Sequence, residues 1–419
     1  MEDTITTRCC IAGGGPAGMM LGLLLARAGV HVVVLEKHGD FLRDFRGDTV
    51  HPSTLELMHE LGLLDAFLQR PHNRAVDLRA VISGREVRIA DFSRLPTRCK
   101  FIALMPQWEF LDFLRDRAQA YAGFRLMQNA EVVDLLRDGE RISGVQVRTA
   151  QGPLTVQADL VIGADGRHST VRKAAGLTVC DQGAPIDVLW MRLPTAPGDP
   201  TDTGARIGAG YFFVMIHRGS YWQCAYVIAK GGIDDIRARG LSAFRDELLQ
   251  AAPMFGDRVG ALKDWNDVKL LSVTVDRLER WWQPGLLCIG DAAHAMSPIG
   301  GVGINLAIQD AVAAANILAP ALADPSAGAS RLTPLLAKVQ RRRLFPARVT
   351  QAVQVAIQNR VLVPTLSRPR GTAIAVPWPL KLLNRCRPLR KLPAYAVGVG
   401  VRPEHVHTGE GNSRQEKQA

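Results

Sequence analysis

The seven cysteines of this 419-residue chain fall into no CxxC or CxxxxC spacing, which removes zinc ribbons and thioredoxin-type motifs. Cys9 and Cys10 are adjacent in an apolar stretch and the others are scattered. That usage fits buried thiols in a reducing compartment, with no disulfide framework and no metal site. No uninterrupted apolar run reaches the roughly 18 residues that span a bilayer. The opening MEDTITTRCCIAGGG has no basic region, apolar segment and small-residue cleavage site in series, so a cytoplasmic protein is expected. Acid is scarce in one region: residues 331–419 hold 17 Lys or Arg against Glu404, Glu410 and Glu416. The net charge of +11 therefore belongs to a basic C-terminal region on a nearly neutral body. No nucleic-acid reading module accompanies it, so no nucleic-acid partner is expected. Two accounts of the charge remain open: a solvated helical face plus tail, or contact with an anionic membrane surface. Basic and apolar residues interleave in PWPLKLLNRCRPLRKLPAY, as such contact requires.

What is present begins with a strand, Thr7–Ala12, that runs into Gly13-Gly14-Gly15-Pro16-Ala17-Gly18. The apolar segment MMLGLLLARAGV follows as a crossover helix, then HVVVL as a second strand ending at Glu36. In this order Gly13 permits a tight turn, Gly15 lets a pyrophosphate approach the backbone, and Gly18 lets helix and strand pack closely. The helix start supplies N–H groups and a positive dipole end for phosphates. Glu36 stands where a carboxylate accepts hydrogen bonds from an adenosine ribose.

Two later strands end in similar fashion. Leu160–Gly163 stops at Ala164-Asp165-Gly166, with Ser169 placed to cap a helix carrying Arg172. Gly285–Ile289 reaches Gly290-Asp291-Ala292-Ala293-His294, then the turn Pro298-Ile299-Gly300-Gly301-Val302-Gly303-Ile304-Asn305 and an apolar helix. A carboxylate at the end of a strand can hold a sugar-chain hydroxyl, and the glycine turn offers backbone N–H groups to the edge of a flavin ring. His294 reads as a structural histidine packed behind this loop, with no partner identified.

These three segments resemble the signatures of the single-component (class A) flavoprotein monooxygenases of the para-hydroxybenzoate hydroxylase type. GGGPAG with Glu36 is similar to the FAD fingerprint, GADGRHSTVR at 163–172 to the Asp-Gly motif, and IGDAAHAMSPIGGVGINLAIQDA at 289–311 to the Gly-Asp motif. The resemblance implies FAD held by Gly13, Gly15, Pro16, Ala17, Gly18 and Glu36. It adds Arg46 (with Arg43 as the competing choice), Gln107 at a helix start, Asp165, Asp291 at the ribityl chain, and Gly303, Ile304 and Asn305 beside the ring. Pro298, Gly300 and Gly301 would position the reacting face, with no side-chain base assigned. NADH or NADPH would reduce the flavin, O2 would add at C4a, and the hydroperoxide would hydroxylate an electron-rich carbon. No second GxGxxG unit is evident for the nicotinamide, and the family likewise has no separate domain for it. The absence of a convincing Ser-His-Asp or Cys-His set fits chemistry that belongs to the cofactor.

The expected fold is α/β: an FAD-binding Rossmann-like unit, an antiparallel-sheet substrate unit and a helical C-terminal region. FAD-binding parts are expected at 1–75, 101–180 and 279–320, a substrate-side hairpin closed near Gly84 at 76–100, and the antiparallel substrate sheet at 181–278. A basic helical region at 321–405, interrupted at Pro346, and a flexible tail at 406–419 complete the layout. Strands in GARIGAGYFFVMIH and SYWQCAYVI offer Arg206, Tyr211, Phe213, Met215, His217, Trp222, Gln223 and Tyr226 as substrate-facing candidates, though each taken alone fits core or surface better, and the sequence does not orient the strands. Arg206 or Arg192 would suit a carboxylated substrate, whereas the apolar majority favours an aromatic or quinone-like ring. Monomer and homodimer both remain open. So do three rivals: a reductase or dehydrogenase of polyprenyl or polycyclic substrates, a flavin-dependent halogenase (though its Trp-x-Trp-x-Ile-Pro segment is absent), and a non-enzymatic flavin-binding protein.

Overall fold

Five parallel strands end level with one another, and this register builds the platform of the protein. A computed structural model describes residues 3–42, 49–200, 203–326 and 328–411. Within it the strands lie in the order Leu286–Cys288, Gly152–Gly163, Asp3–Ala12, Val32–Leu35, Phe124–Met127. Cys288 pairs with Gly163, Gly163 with Ala12, Ala12 with Leu35, and Leu35 with Met127. Each chain therefore leaves the sheet at the same edge, where open α/β sheets bind their ligands. Two further strands, Ala130–Asp138 and Arg141–Thr149, extend Gly152–Gly163 in antiparallel fashion.

The central strands of the platform are buried on both faces toward their C-terminal ends, and the sequence shows it there in short apolar runs without alternation. All four residues of Val32–Leu35 are buried. The helix Pro16–Arg27 buries every residue from Ala17 to Ala26, between the sheet and the helices Gln107–Ala118 and Gly303–Ala323. Gly303–Ala323 extends from a turn, and the stretch Ile299–Ala323 is apolar and long enough to cross a membrane. In the fold it is a core helix, with Ala307, Ile308, Ala311–Ala315 and Leu318 buried.

The second layer is a seven-stranded sheet in the order Lys269–Ser272, Ile186–Pro194, Tyr221–Ala229, Tyr211–His217, Gly204–Gly208, Asp77–Ile82, Arg85–Asp91. The early hairpin turns at Ser83 and Gly84, both at positive φ (46° and 81°), as a tight two-residue connection requires. It joins the later strands through the one parallel pairing, Asp77–Ile82 with Gly204–Gly208. The hairpin and the later strands thus form one sheet.

Two expectations for the C-terminal region are corrected. Thr333–Ile357 is a single helix that runs through Pro346. A proline inside a helix costs about 3 kcal/mol, and here burial of Leu336, Val339, Arg343, Pro346, Ala347, Gln351 and Gln354 offsets it. Residues 406–411 are docked, not free. Val406 N–H donates to Glu60 Oε2 (2.8 Å), His407 N–H to Asn316 Oδ1 (2.9 Å), and Gly411 N–H to the Arg27 carbonyl (2.8 Å). Residues 412–419 lie outside the described residues.

Candidate active site

The first strand end makes a cradle that only glycine allows. Gly13 has φ +107°, and a Cβ on it would stand 2.4 Å from the Ala164 carbonyl oxygen; one on Gly18 would stand 2.0 Å from the Gly13 oxygen. Nothing lies within 4 Å of the corresponding position on Gly15, so space is open over the backbone where a pyrophosphate would approach. Pro16 fills the first helical position, where its missing N–H costs nothing. Glu36, at the end of the next strand, accepts from Gly14 N–H (3.0 Å) and His38 N–H (3.1 Å). It stands beside the cradle as a ribose ligand must.

Asp165 shapes the turn that it opens. Its carboxylate accepts from Ser169 Oγ (2.5 Å) and Val171 N–H (3.1 Å), while Ser169 Oγ accepts from Arg172 N–H (2.9 Å). Burial raises the Asp165 pKa against these hydrogen bonds. Arg172 in turn holds Asp276 (3.3 Å), whose Oδ1 accepts from Ala295 N–H (3.2 Å). The Asp-Gly segment thus shapes its own turn and ties it to the Gly-Asp loop. Its Arg167 faces Asp291 across 3.8 Å. Asp291 stays about a third exposed and offers the open carboxylate that a polyol chain needs.

Beyond Asp291 the chain makes a short turn, Ile299–Gly301, with Gly300 at φ 78° and Gly301 at φ 63°. Thr49 Oγ1 donates to the Gly301 carbonyl (2.9 Å). Asn305, 5% exposed, locks this turn. Its Oδ1 accepts from His51 N–H and Thr54 Oγ1 (2.8 Å each), and its Nδ2 donates to the Thr49 and Gly301 carbonyls (3.0 and 3.3 Å). All of this side chain's capacity goes to bracing the site. Gly303, where an added Cβ would meet Met296 Cβ at 3.7 Å, and half-buried Ile304 begin the core helix beside the turn. Gln107 opens its helix and is half-buried; Arg46 and Arg43 lie outside the described residues.

His294 does have a partner. Its Nε2 is 2.6 Å from Asp310 Oδ2, which also accepts from Gly290 N–H (3.1 Å). Arg343 Nε donates to Asp310 Oδ1 (2.9 Å) and Arg343 Nη1 to Glu404 (3.3 Å), which Arg342 also holds (2.8 Å). Burial pushes the Asp310 carboxyl up, but His294 and Arg343 outweigh it and hold the group below the usual carboxylate range. Asp310 is therefore held as a carboxylate. The sequence shows no signal of this network, because its members lie on distant elements. His51 is another buried histidine that the sequence does not mark. Its Nδ1–H donates to the Val397 carbonyl (2.7 Å), and burial lowers its pKa to about 4 despite that bond.

Most of the substrate-facing candidates lie on the helix-covered face of the sheet. Tyr211, Phe213, Met215, Trp222 and Tyr226 pack against Phe244, Leu248 and Phe255, the helical cover on the far face of the sheet. Arg206 is paired with Phe213 and shares that face, and the His217 ring meets Trp222 at 4.9 Å. The opposite face carries Val188, Trp190, Phe212, Val214, Ala225 and Val227, with Ile299 of the flavin turn packed against them. Gln223 is on this face, where its Oε1 accepts from Arg218 Nε (3.0 Å). Arg192 is exposed and stacks on Tyr221 at 4.9 Å. Helix Lys391–Gly398 closes the junction: Val397 packs with Trp190, Val214 and Ile216, and a Cβ on Gly300 would stand 3.9 Å from Val397 Cγ2.

Among the described residues, no cluster of three or more His, Cys, Asp or Glu is placed to hold a metal ion. A cradle open over Gly15, a ribose-side carboxylate and an open Asp291, all on one sheet edge, fit an adenine dinucleotide carrying a ribityl-linked ring.

Comparison with known proteins agrees with this geometry. The model of the FAD binding domain family matches residues 6–353. A 6-methylpretetramide 4-monooxygenase of Streptomyces rimosus is 35% identical over 389 residues, covering 91% of this chain and 90% of that protein. A 12-dehydrotetracycline 5-monooxygenase/anhydrotetracycline 6-monooxygenase of Streptomyces rimosus subsp. rimosus is 30% identical over 314 residues, 72% of this chain and 60% of that longer one. The solved structure of OxyS anhydrotetracycline hydroxylase from Streptomyces rimosus superposes with a TM-score of 0.73 at 24% identity, covering 96% of this chain and 77% of that one; at that identity it speaks for the fold. These matches support the family resemblance without singling out para-hydroxybenzoate hydroxylase. The chain belongs to the FAD binding domain family and is an FAD-dependent monooxygenase that acts on an aromatic or phenolic substrate.

Proposed function

We propose that the substrate is an uncharged polycyclic phenol or quinone, hydroxylated with O2 at the expense of NADH or NADPH. The observation that carries this reading is the apolar sheet face of Val188, Trp190, Phe212, Val214 and Val227 packed with Ile299 of the turn. Such a face suits a fused aromatic ring system. The relative named 6-methylpretetramide 4-monooxygenase, similar over 90% of its length, supports a ring system of polyketide type.

FAD supplies the redox and oxygen-activating chemistry when bound. Gly13, Gly15, Pro16, Ala17 and Gly18 would take its pyrophosphate, Glu36 its adenosine ribose and Asp291 its ribityl chain. Pro298, Gly300 and Gly301 would lie at the reacting face, and Gly303, Ile304 and Gln107 at the ring. The start of helix Gly303–Ala323 and the glycine turn would point backbone N–H groups at the ring edge, where they stabilise negative charge. Asn305 and Thr49 keep that turn rigid. Trp190, Phe212 and Val214 orient the substrate ring and exclude water, and helix Lys391–Gly398 completes the enclosure.

The test is substrate-stimulated oxidation of NADH and NADPH by the FAD-loaded protein, with oxygen uptake. It is run on hydroxylated anthraquinones and naphthacenequinones against carboxylated monocyclic phenols. One atom of 18O from 18O2 in a polycyclic product is expected. Turnover of only the carboxylated monocyclic compounds, or productive anaerobic turnover without 18O, refutes it.

A further inference from the structure

We propose that the outer surface of residues 377–398 is a docking face for an anionic lipid bilayer. Residues 371–403 contain Lys381, Arg385, Arg387, Arg390, Lys391 and Arg402 and not one Asp or Glu. The helix Trp378–Arg385 has no buried residue. Trp378 is 75% exposed and Leu382 47%, one turn apart on one face; Leu392 is 67% and Tyr395 40% exposed on the following helix Lys391–Gly398. Exposed Lys381, Arg385, Arg387 and Lys391 are interleaved with them.

The surface is held ready by its inner side. Leu380 packs with Ile89 and Val87 of the sheet. Ala394 and Gly398 are buried, with a Cβ on Gly398 3.0 Å from Leu95. Arg390, itself buried, donates to the carbonyls of Leu383 (2.8 Å) and Asn384 (2.6 Å), closing the end of the first helix against the segment that leads into the second. The backbone of the surface is therefore ordered before contact, which lowers the cost of binding.

The chemistry selects the partner. A large aromatic side chain and leucines standing in water beside lysine and arginine match the boundary of a bilayer, where apolar groups enter the acyl edge and cations meet phosphate headgroups. Each basic residue near an anionic surface strengthens partitioning about fivefold. A second copy of the chain is the poorer fit, because a two-fold interface would set this acid-free, cationic surface against itself.

The test uses the FAD-loaded full chain with sucrose-loaded vesicles of phosphatidylcholine containing 30% phosphatidylglycerol, against phosphatidylcholine alone. Cosedimentation with the anionic vesicles at 0.1 M NaCl is expected, weakened at least tenfold at 0.5 M NaCl and on the neutral vesicles. The pair Trp378→Ser with Leu392→Ser, and separately the set Lys381→Gln, Arg385→Gln and Arg387→Gln, should each lower partitioning at least tenfold while flavin content stays unchanged. Three results overturn the proposal: no association with anionic vesicles; association that both variant sets retain; or a wild-type dimer by light scattering that the Trp378/Leu392 pair converts to monomer. Retention on an acidic protein or DNA column without vesicle binding overturns it equally.

Discussion

Phe212 and Phe213 are neighbours in the chain on opposite faces of the substrate sheet, so alanine at each position gives opposite phenotypes. Phe213 is fully buried, with its ring centroid 6.0 Å from Tyr226 and 6.2 Å from Phe255. Removing such a ring leaves a cavity in the helix-covered core and costs about 3–5 kcal/mol. Phe212 is half-buried, packed on the apolar face that Ile299 joins, and its loss costs about 1 kcal/mol of stability. Catalysis should run the other way. Phe212→Ala removes part of the proposed wall for the substrate ring; a fall in kcat/KM of at least tenfold, about 1.4 kcal/mol of transition-state stabilisation, is expected, with more nicotinamide oxidation uncoupled from hydroxylation. Phe213→Ala, assayed per folded molecule, should stay within about twofold of the parent. Urea unfolding followed by tryptophan fluorescence gives the stabilities, and product formed per nicotinamide consumed gives the coupling. If Phe213→Ala uncouples the enzyme while Phe212→Ala only lowers its stability, the assignment of faces is wrong.

Asp310→Asn should destabilise the fold by about 3–5 kcal/mol, because it leaves Arg343, 1% exposed, to share Glu404 with Arg342; a urea midpoint within error of the parent would contradict the network. Gly18→Ala should yield protein without bound FAD, since its Cβ would meet the Gly13 oxygen at 2.0 Å; the flavin absorbance of purified protein decides this. His51 has its folded pKa lowered from 6.5 to about 4, so the folded state binds fewer protons between these values. Its contribution is complete above pH 6.5 and is lost as pH falls toward 4, about 3 kcal/mol in all. His51→Gln should flatten the urea midpoint against pH across that window, and an unchanged slope would show that His51 does not titrate there.

The motifs at the sheet edge are legible in the sequence because each uses a residue for a reason no other residue meets. Gly13 and Gly18 sit where a Cβ has no room, and Asp291 leaves its strand at the same level as the glycine turn. The hairpin at Ser83-Gly84 is legible for the same reason. The faces of the substrate sheet are not. Both sides of Tyr211–His217 are covered, one by Phe244 and Leu248 and the other by the flavin turn and the C-terminal helix, so YFFVMIH carries no polar beat to set the phase. Pairings such as Asp310 with Arg343, or Val406 with Glu60, join elements far apart in sequence, and no local pattern encodes them. Pro346 misleads because propensity counts a local cost that tertiary burial offsets.

The docked strap at residues 404–411 has a consequence for synthesis. Glu404 closes the ion-pair chain to Asp310, Val406 caps onto Glu60, and Gly411 bonds to Arg27 at the end of the first helix. The nucleotide platform is itself assembled from strands far apart in the chain, Asp3–Ala12 and Leu286–Cys288. A ribosome must therefore deliver residues through Ala323 before the platform has its fifth parallel strand and its covering helix. Until then the apolar helix Pro16–Arg27 lacks its partner Gly303–Ala323 and is exposed to chaperones and proteases.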